Sequence, residues 1–99
     1  METIIDNAIQ QVTGFSRDEL AEKTRIEPIR EARQIAVSFY RRKGFSSVFV
    51  ARIFNLKHPT PLSTVTKVRD LYLQKCEHEL REKIDEVSRL TGIKWYDTF

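Results

Sequence analysis

The chain has 99 residues, a net charge of +3, 40% hydrophobic content, only three Gly and three Pro, and one Cys. That length supports one domain with one modest core, and the composition excludes a disordered chain, a separate catalytic domain and, for want of an apolar run of roughly 20 residues, a membrane span. The first residues lack the basic-then-apolar layout of a signal peptide and Cys76 has no second cysteine to pair with, so the reading places the protein in a reducing cytoplasm.

Helix one is expected over Glu2–Thr13, where Ile4, Ile5, Ala8, Ile9 and Val12 recur at helical spacing, with Gly14 as its left-handed cap. Ser16 and Glu19 have the spacing of a capping box, with Phe15 and Leu20 as a hydrophobic staple, so a short second helix should run to about Lys23. A polar, basic stretch over 23–27 precedes helix three. Pro28 suits its first position, Ile29, Ala32, Ile35, Ala36, Phe39 and Tyr40 form its apolar face, Arg41, Arg42 and Lys43 complement the negative end of its dipole, and Gly44 caps it. Ser46 opens helix four, which should reach about Asn55, with Val50, Ile53 and Phe54 inward and Phe45 stapled onto Val50. After a turn through Pro59, Thr60 as N-cap and Pro61 at the first position start helix five. Its core side is Leu62, Val65, Val68 and Tyr72, while Ser63, Thr64, Thr66, Lys67 and Arg69 lie mostly opposite.

The apolar stripe continues through Leu73, Cys76, Leu80, Ile84, Val87 and Leu90, with no Gly or Pro before Gly92. Two readings stay open: one helix from 61 to 91, or a break near 76–79. The tail 93–99 carries Trp95, Tyr96 and Phe99, which need a surface to pack on. The expected fold is all-α: one domain over 1–99, a small bundle of about five to six helices with a helix-turn-helix, in which 74–99 is a C-terminal helix plus aromatic tail.

Charge is unevenly spread. Residues 1–22 hold one basic and five acidic side chains, residues 23–69 eleven basic and two acidic, and residues 70–99 five basic and seven acidic. A basic block of this kind inside a folded chain sets up a positive potential that attracts a polyanion. Helices four and five, joined by a tight turn, read as a helix-turn-helix whose second member must enter a major groove by its N-terminal end. Small polar and basic residues there, Ser63, Thr64, Thr66 and Lys67, can approach base edges or phosphates, and Arg69 can reach phosphate.

Glu31-Ala32-Arg33-Gln34-Ile35-Ala36, then Ser46 through Phe54, then His58 to Val68, resemble the C-terminal DNA-binding domain of the bacterial replication initiator DnaA. The resemblance covers roughly 3–73 and implies a helical bundle with a helix-turn-helix that binds short duplex sites, the DnaA boxes. It implies a basic minor-groove loop at Lys23-Thr24-Arg25, with Arg25 the minor-groove arginine. It also implies a signature at the recognition helix in which His58 and Thr60 match, while Lys57 replaces an Asp and Pro59 replaces a Thr. Lys57 can only donate hydrogen bonds, so it suits a phosphate or a guanine where the family's Asp accepts from cytosine. Duplex DNA binding is therefore expected to persist with an altered sequence preference, in replication or its regulation. The competing reading is a protein-interaction module that kept the fold and lost specific DNA binding.

No G-x-x-x-x-G-K-[ST] loop is present, so no nucleotide is expected, nor any cofactor. Cys76 and His78 diverge on a helix, so no metal is expected. Without a nucleophile–base pair the chain is not read as an enzyme. Arg33 could serve a phosphate or pair with a carboxylate such as Asp18. Phe49, crowded beside Val48 and Val50, and residues 73–99 are the surfaces a homodimer could use, with folding back of the last helix as the alternative.

Overall fold

Six helices follow one another among the described residues: α1 Glu2–Thr13, α2 Arg17–Leu20, α3 Glu27–Lys43, α4 Ser47–Ile53, α5 Thr60–Leu73 and α6 His78–Thr91. The computed structural model describes residues 2–22, 27–57, 60–73 and 78–93, without the side chains of Glu27, Leu62 and His78. No strand occurs among these residues, and the architecture is an all-α bundle. Lys23, Arg25, His58, Pro59, Cys76 and the tail aromatics lie outside the described residues.

α1 has the predicted bounds and buries Ile5, Ala8 and Ile9. Gly14 follows at φ +85, its amide donating to the Gln10 carbonyl at 2.8 Å. The capping box forms as the spacing predicts. The Glu19 amide donates to the Ser16 hydroxyl, and the Ser16 amide donates to the Glu19 carboxylate at 3.1 Å. α2 nevertheless stops at Leu20 rather than Lys23. Arg33 of α3 donates to the Leu20 carbonyl, which a longer helix would have used for its own next turn.

α3 is the spine. It packs against α1, α2, α4 and α5, and residues 35–40 are buried without a break. The sequence pattern marks only one apolar face, so the burial of Val37 and Ser38 was not anticipated. Ser38 is accommodated because its hydroxyl donates to the Ile35 carbonyl at 2.7 Å. At the end of α3 the Gly44 amide bonds to Arg41 and the Phe45 amide to Tyr40, the paired bonds of a Schellman motif, with Gly44 at φ +112.

α4 ends in the same way. The Asn55 amide bonds to the Arg52 carbonyl and the Leu56 amide to the Ala51 carbonyl at 2.7 Å, with Asn55 at φ +56. Asparagine here takes the left-handed position usually given to glycine, which ends α4 at Ile53 rather than near Asn55. The α3–α4 corner is filled by an aromatic series. Tyr40 meets Phe54 edge-on at 5.6 Å and Phe45 at 5.2 Å, and Phe45 stacks on Phe49 at 5.3 Å. Phe49 therefore has an intramolecular partner, and the exposed member of its trio is Val48.

α5 begins at Thr60 itself, with the Thr60 amide donating to the Lys57 carbonyl at 3.0 Å. Of the two readings for 61–91, the break holds: α5 ends at Leu73 and α6 starts at His78. One helix over that span would run about 46 Å at 1.5 Å per residue, against a longest molecular extent of 30 Å. α6 folds back on α1, burying Leu80, Ile84 and Val87. Phe49 stacks within the chain and α6 folds back on α1, so the fold gives no support to a homodimer through them, although Leu73 stays exposed. No helix among the described residues is long and apolar enough to cross a membrane.

Candidate nucleic-acid interface

The start of α5 is placed by the turn before it. Asn55 reverses the chain, Leu56 tucks against the core, and the Lys57 carbonyl accepts the first amide of the helix. The Lys57 side chain is exposed. Pro61 is buried and Val68 fully so, which turns the face carrying Thr60, Ser63, Thr64 and Lys67 toward α3. There these four residues line a groove of about 290 Å³ together with Arg30, Arg33, Gln34, Val37 and Leu56. Arg30, Arg33, Gln34 and Val37 stand at i, i+3, i+4 and i+7 of α3, so a single helical face forms that wall. Its lining holds three cationic side chains and no carboxylate. The positive end of the α5 dipole adds to this character.

Arg33 is the most constrained of these cations. Its Nε donates to the Leu20 carbonyl and its Nη2 to the Glu22 carbonyl, both at 2.6 Å. Burial holds its pKa below the ordinary arginine value. Neither of the partners considered from the sequence, a phosphate or Asp18, is what these two bonds engage.

Four of the sequence-predicted site residues, Thr60, Ser63, Thr64 and Lys67, share this groove, while Lys57 stands on the turn leading into it. Arg69 is elsewhere. It contacts Asp70 at 3.4 Å and lies close enough to Arg42 for its charge, after burial, to depress the Arg42 pKa. Thr66 lines a second, shallower hollow with Ser63, Lys67, Asp70 and Leu71. Lys23, Arg25 and His58 are outside the described residues. The sequence reading missed Gln34, Val37 and Leu56 as groove residues; the i, i+3, i+4, i+7 spacing from Arg30 was the available signal for the first two. Arg41 donates to the Phe45 carbonyl at 2.6 Å and so braces the α3–α4 corner. No three His, Cys, Asp or Glu side chains among the described residues gather to hold a metal ion.

Fold and groove together define a small all-helical protein with a basic channel at the start of a helix. Comparison with known proteins is consistent with the resemblance. The chain is 33% identical over 88 residues to the chromosomal replication initiator protein DnaA of Pseudothermotoga lettingae, a match covering 87% of this chain. The chain spans 20% of that relative's length, and the similarity accords with a DnaA C-terminal-like domain. No protein-family profile and no solved structure matches the chain.

Proposed function

We propose that the chain binds duplex DNA as a DnaA C-terminal-like helix-turn-helix domain, in replication or its regulation. In this reading α4 and α5 are the paired helices and the first turns of α5 enter the major groove. The observation that carries it is the groove itself: Arg30, Arg33 and Lys67 surround Thr60, Ser63 and Thr64 with no acidic lining residue. Cations of this kind contact phosphate and fix register, while short hydroxyl side chains come close enough to meet base edges. The similarity to a replication initiator over most of the chain supports the same reading. Lys57, a donor beside the first turn of α5, turns base preference toward acceptor edges such as guanine. The protein is a binder without turnover, and the minor-groove role of Arg25 belongs to the same proposal.

Fluorescence anisotropy with two labelled duplexes, one carrying a DnaA box and one scrambled, tests it at low and near-physiological salt. Neutralising two phosphates, by Arg30 and Lys67, gives a slope of log K against log salt of about −1.8. Preference for the box duplex assigns the family's readout to this chain, and equal salt-sensitive binding assigns another target. Absence of binding at low salt overturns the proposal.

A further inference from the structure

The polar side of α5 runs on beyond the groove. Ser63, Thr66, Lys67 and Asp70 stand at i, i+3, i+4 and i+7, so one face of the helix carries all four. They line the second hollow with Leu71, and Ser63 and Lys67 line the groove as well, so the two depressions meet along α5. From Ser63 to Asp70 the helix rises about 10 Å, the length of about three base pairs of a duplex. Among the described residues Asp70 is the one carboxylate lining either depression. Its side chain is 60% exposed and meets Arg69 at 3.4 Å, a surface pair that contributes little and gives way to another partner. A carboxylate can only accept hydrogen bonds, and facing phosphate it is repelled. In a major groove the groups that satisfy it are exocyclic amines. Cytosine N4 suits it best, because adenine sets its N7 acceptor beside the N6 amine.

We propose that Asp70 is a specificity-determining residue, accepting a hydrogen bond from one cytosine amine of the target duplex. The inference rests on the DNA-binding reading. Discrimination here works by exclusion: a duplex without cytosine at that position leaves the charge facing acceptors or phosphate, and is penalised for it.

Selection from a pool of duplexes with a randomised core tests this, run in parallel with the wild-type protein and Asp70→Asn. The wild type should enrich a site with cytosine at one position. Asp70→Asn should enrich the same site with adenine there, because an asparagine amide matches adenine N6 and N7 together. Anisotropy then compares two labelled duplexes, the wild-type site and the same site with that C·G pair changed to A·T. The change should weaken the wild type about tenfold, within the range of one good base contact, and favour Asp70→Asn. Asp70→Ala should bind both duplexes alike. Asp70 is exposed, so both variants should melt near the wild type. Base preference unchanged at every position in Asp70→Asn overturns the inference. It does so even if affinity rises for all duplexes, since the carboxylate then only repels phosphate. Wild-type binding that selects no sequence overturns it too, while DNA binding stands. If the wild type binds no duplex at low salt, the DNA-binding reading itself has failed.

Discussion

The two sides of this bundle handle charge in opposite ways. On the α1–α6 side, carboxylates serve as internal ties. Asp6 accepts from the Tyr40 hydroxyl at 2.5 Å, Glu2 and Asp6 both meet Arg17, Glu31 holds Lys83 at 2.6 Å, and Asp85 accepts from Tyr72 at 2.9 Å. Arg81 adds a guanidinium over the Tyr72 ring at 5.3 Å. On the α3–α5 side, three cations and three hydroxyl side chains converge on a groove without acidic lining. The modest net charge of +3 therefore conceals a division of labour. Acidic residues fasten helices to one another, and basic residues generate a field that a partner can feel.

The largest expected effect tests what the two sides share. Phe54 is fully buried and meets Tyr40 edge-on, so Phe54→Ala should cost about 3–5 kcal/mol in chemical denaturation, whichever face is probed. Next comes a change confined to the basic side. Arg30→Glu with Lys67→Glu should weaken duplex binding on the order of a hundredfold by anisotropy, with an unfolding temperature near that of the wild type. Glu82→Lys on the exposed surface of α6 should leave affinity nearly unchanged.

A smaller effect belongs to the acidic side. Tyr40→Phe removes the bond to Asp6 and should cost about 1 kcal/mol of stability without weakening DNA binding. Burial, and then Asp6, raise the Tyr40 pKa well above its ordinary value. The folded state therefore favours the protonated phenol, and its stabilisation is complete below the unfolded value of about 10 and erodes as the pH rises above it. Alkaline unfolding should accordingly be blunted in Tyr40→Phe. Ser16→Ala, which deletes the capping hydroxyl of α2, should cost up to about 1 kcal/mol by thermal melting. Arg89→Ala should not shift the melting temperature measurably, since its pair with Glu86 lies in solvent.

The sequence made the helix starts legible because their chemistry is local. Ser16, Ser46 and the glycines after α1 and α3 act within a turn of themselves, and each stands where the reading put it. What escaped it depends on distant partners. The burial of Val37 follows from α3 lying among four other helices, which no single apolar stripe announces. The break after Leu73 carries no Gly or Pro, and only the 30 Å extent of the molecule decides it. Arg33 was weighed against side-chain and phosphate partners, yet it engages backbone carbonyls, which every residue has and no sequence distinguishes. The groove was half legible: the α5 wall came from small polar residues behind a turn, while the α3 wall includes Gln34 and Val37, which the reading assigned to no site.

The central place of α3 has a consequence for how the molecule opens. α6 rests chiefly on α1, and α1 reaches the rest of the bundle mainly through α3. Release of α1 therefore loosens α6 with it, while α3, α4 and α5 keep their mutual contacts. In native-state amide exchange the outer pair should open as one sub-global unit, ahead of the amides of residues 35–40, so the groove outlasts the half of the protein that only ties it together.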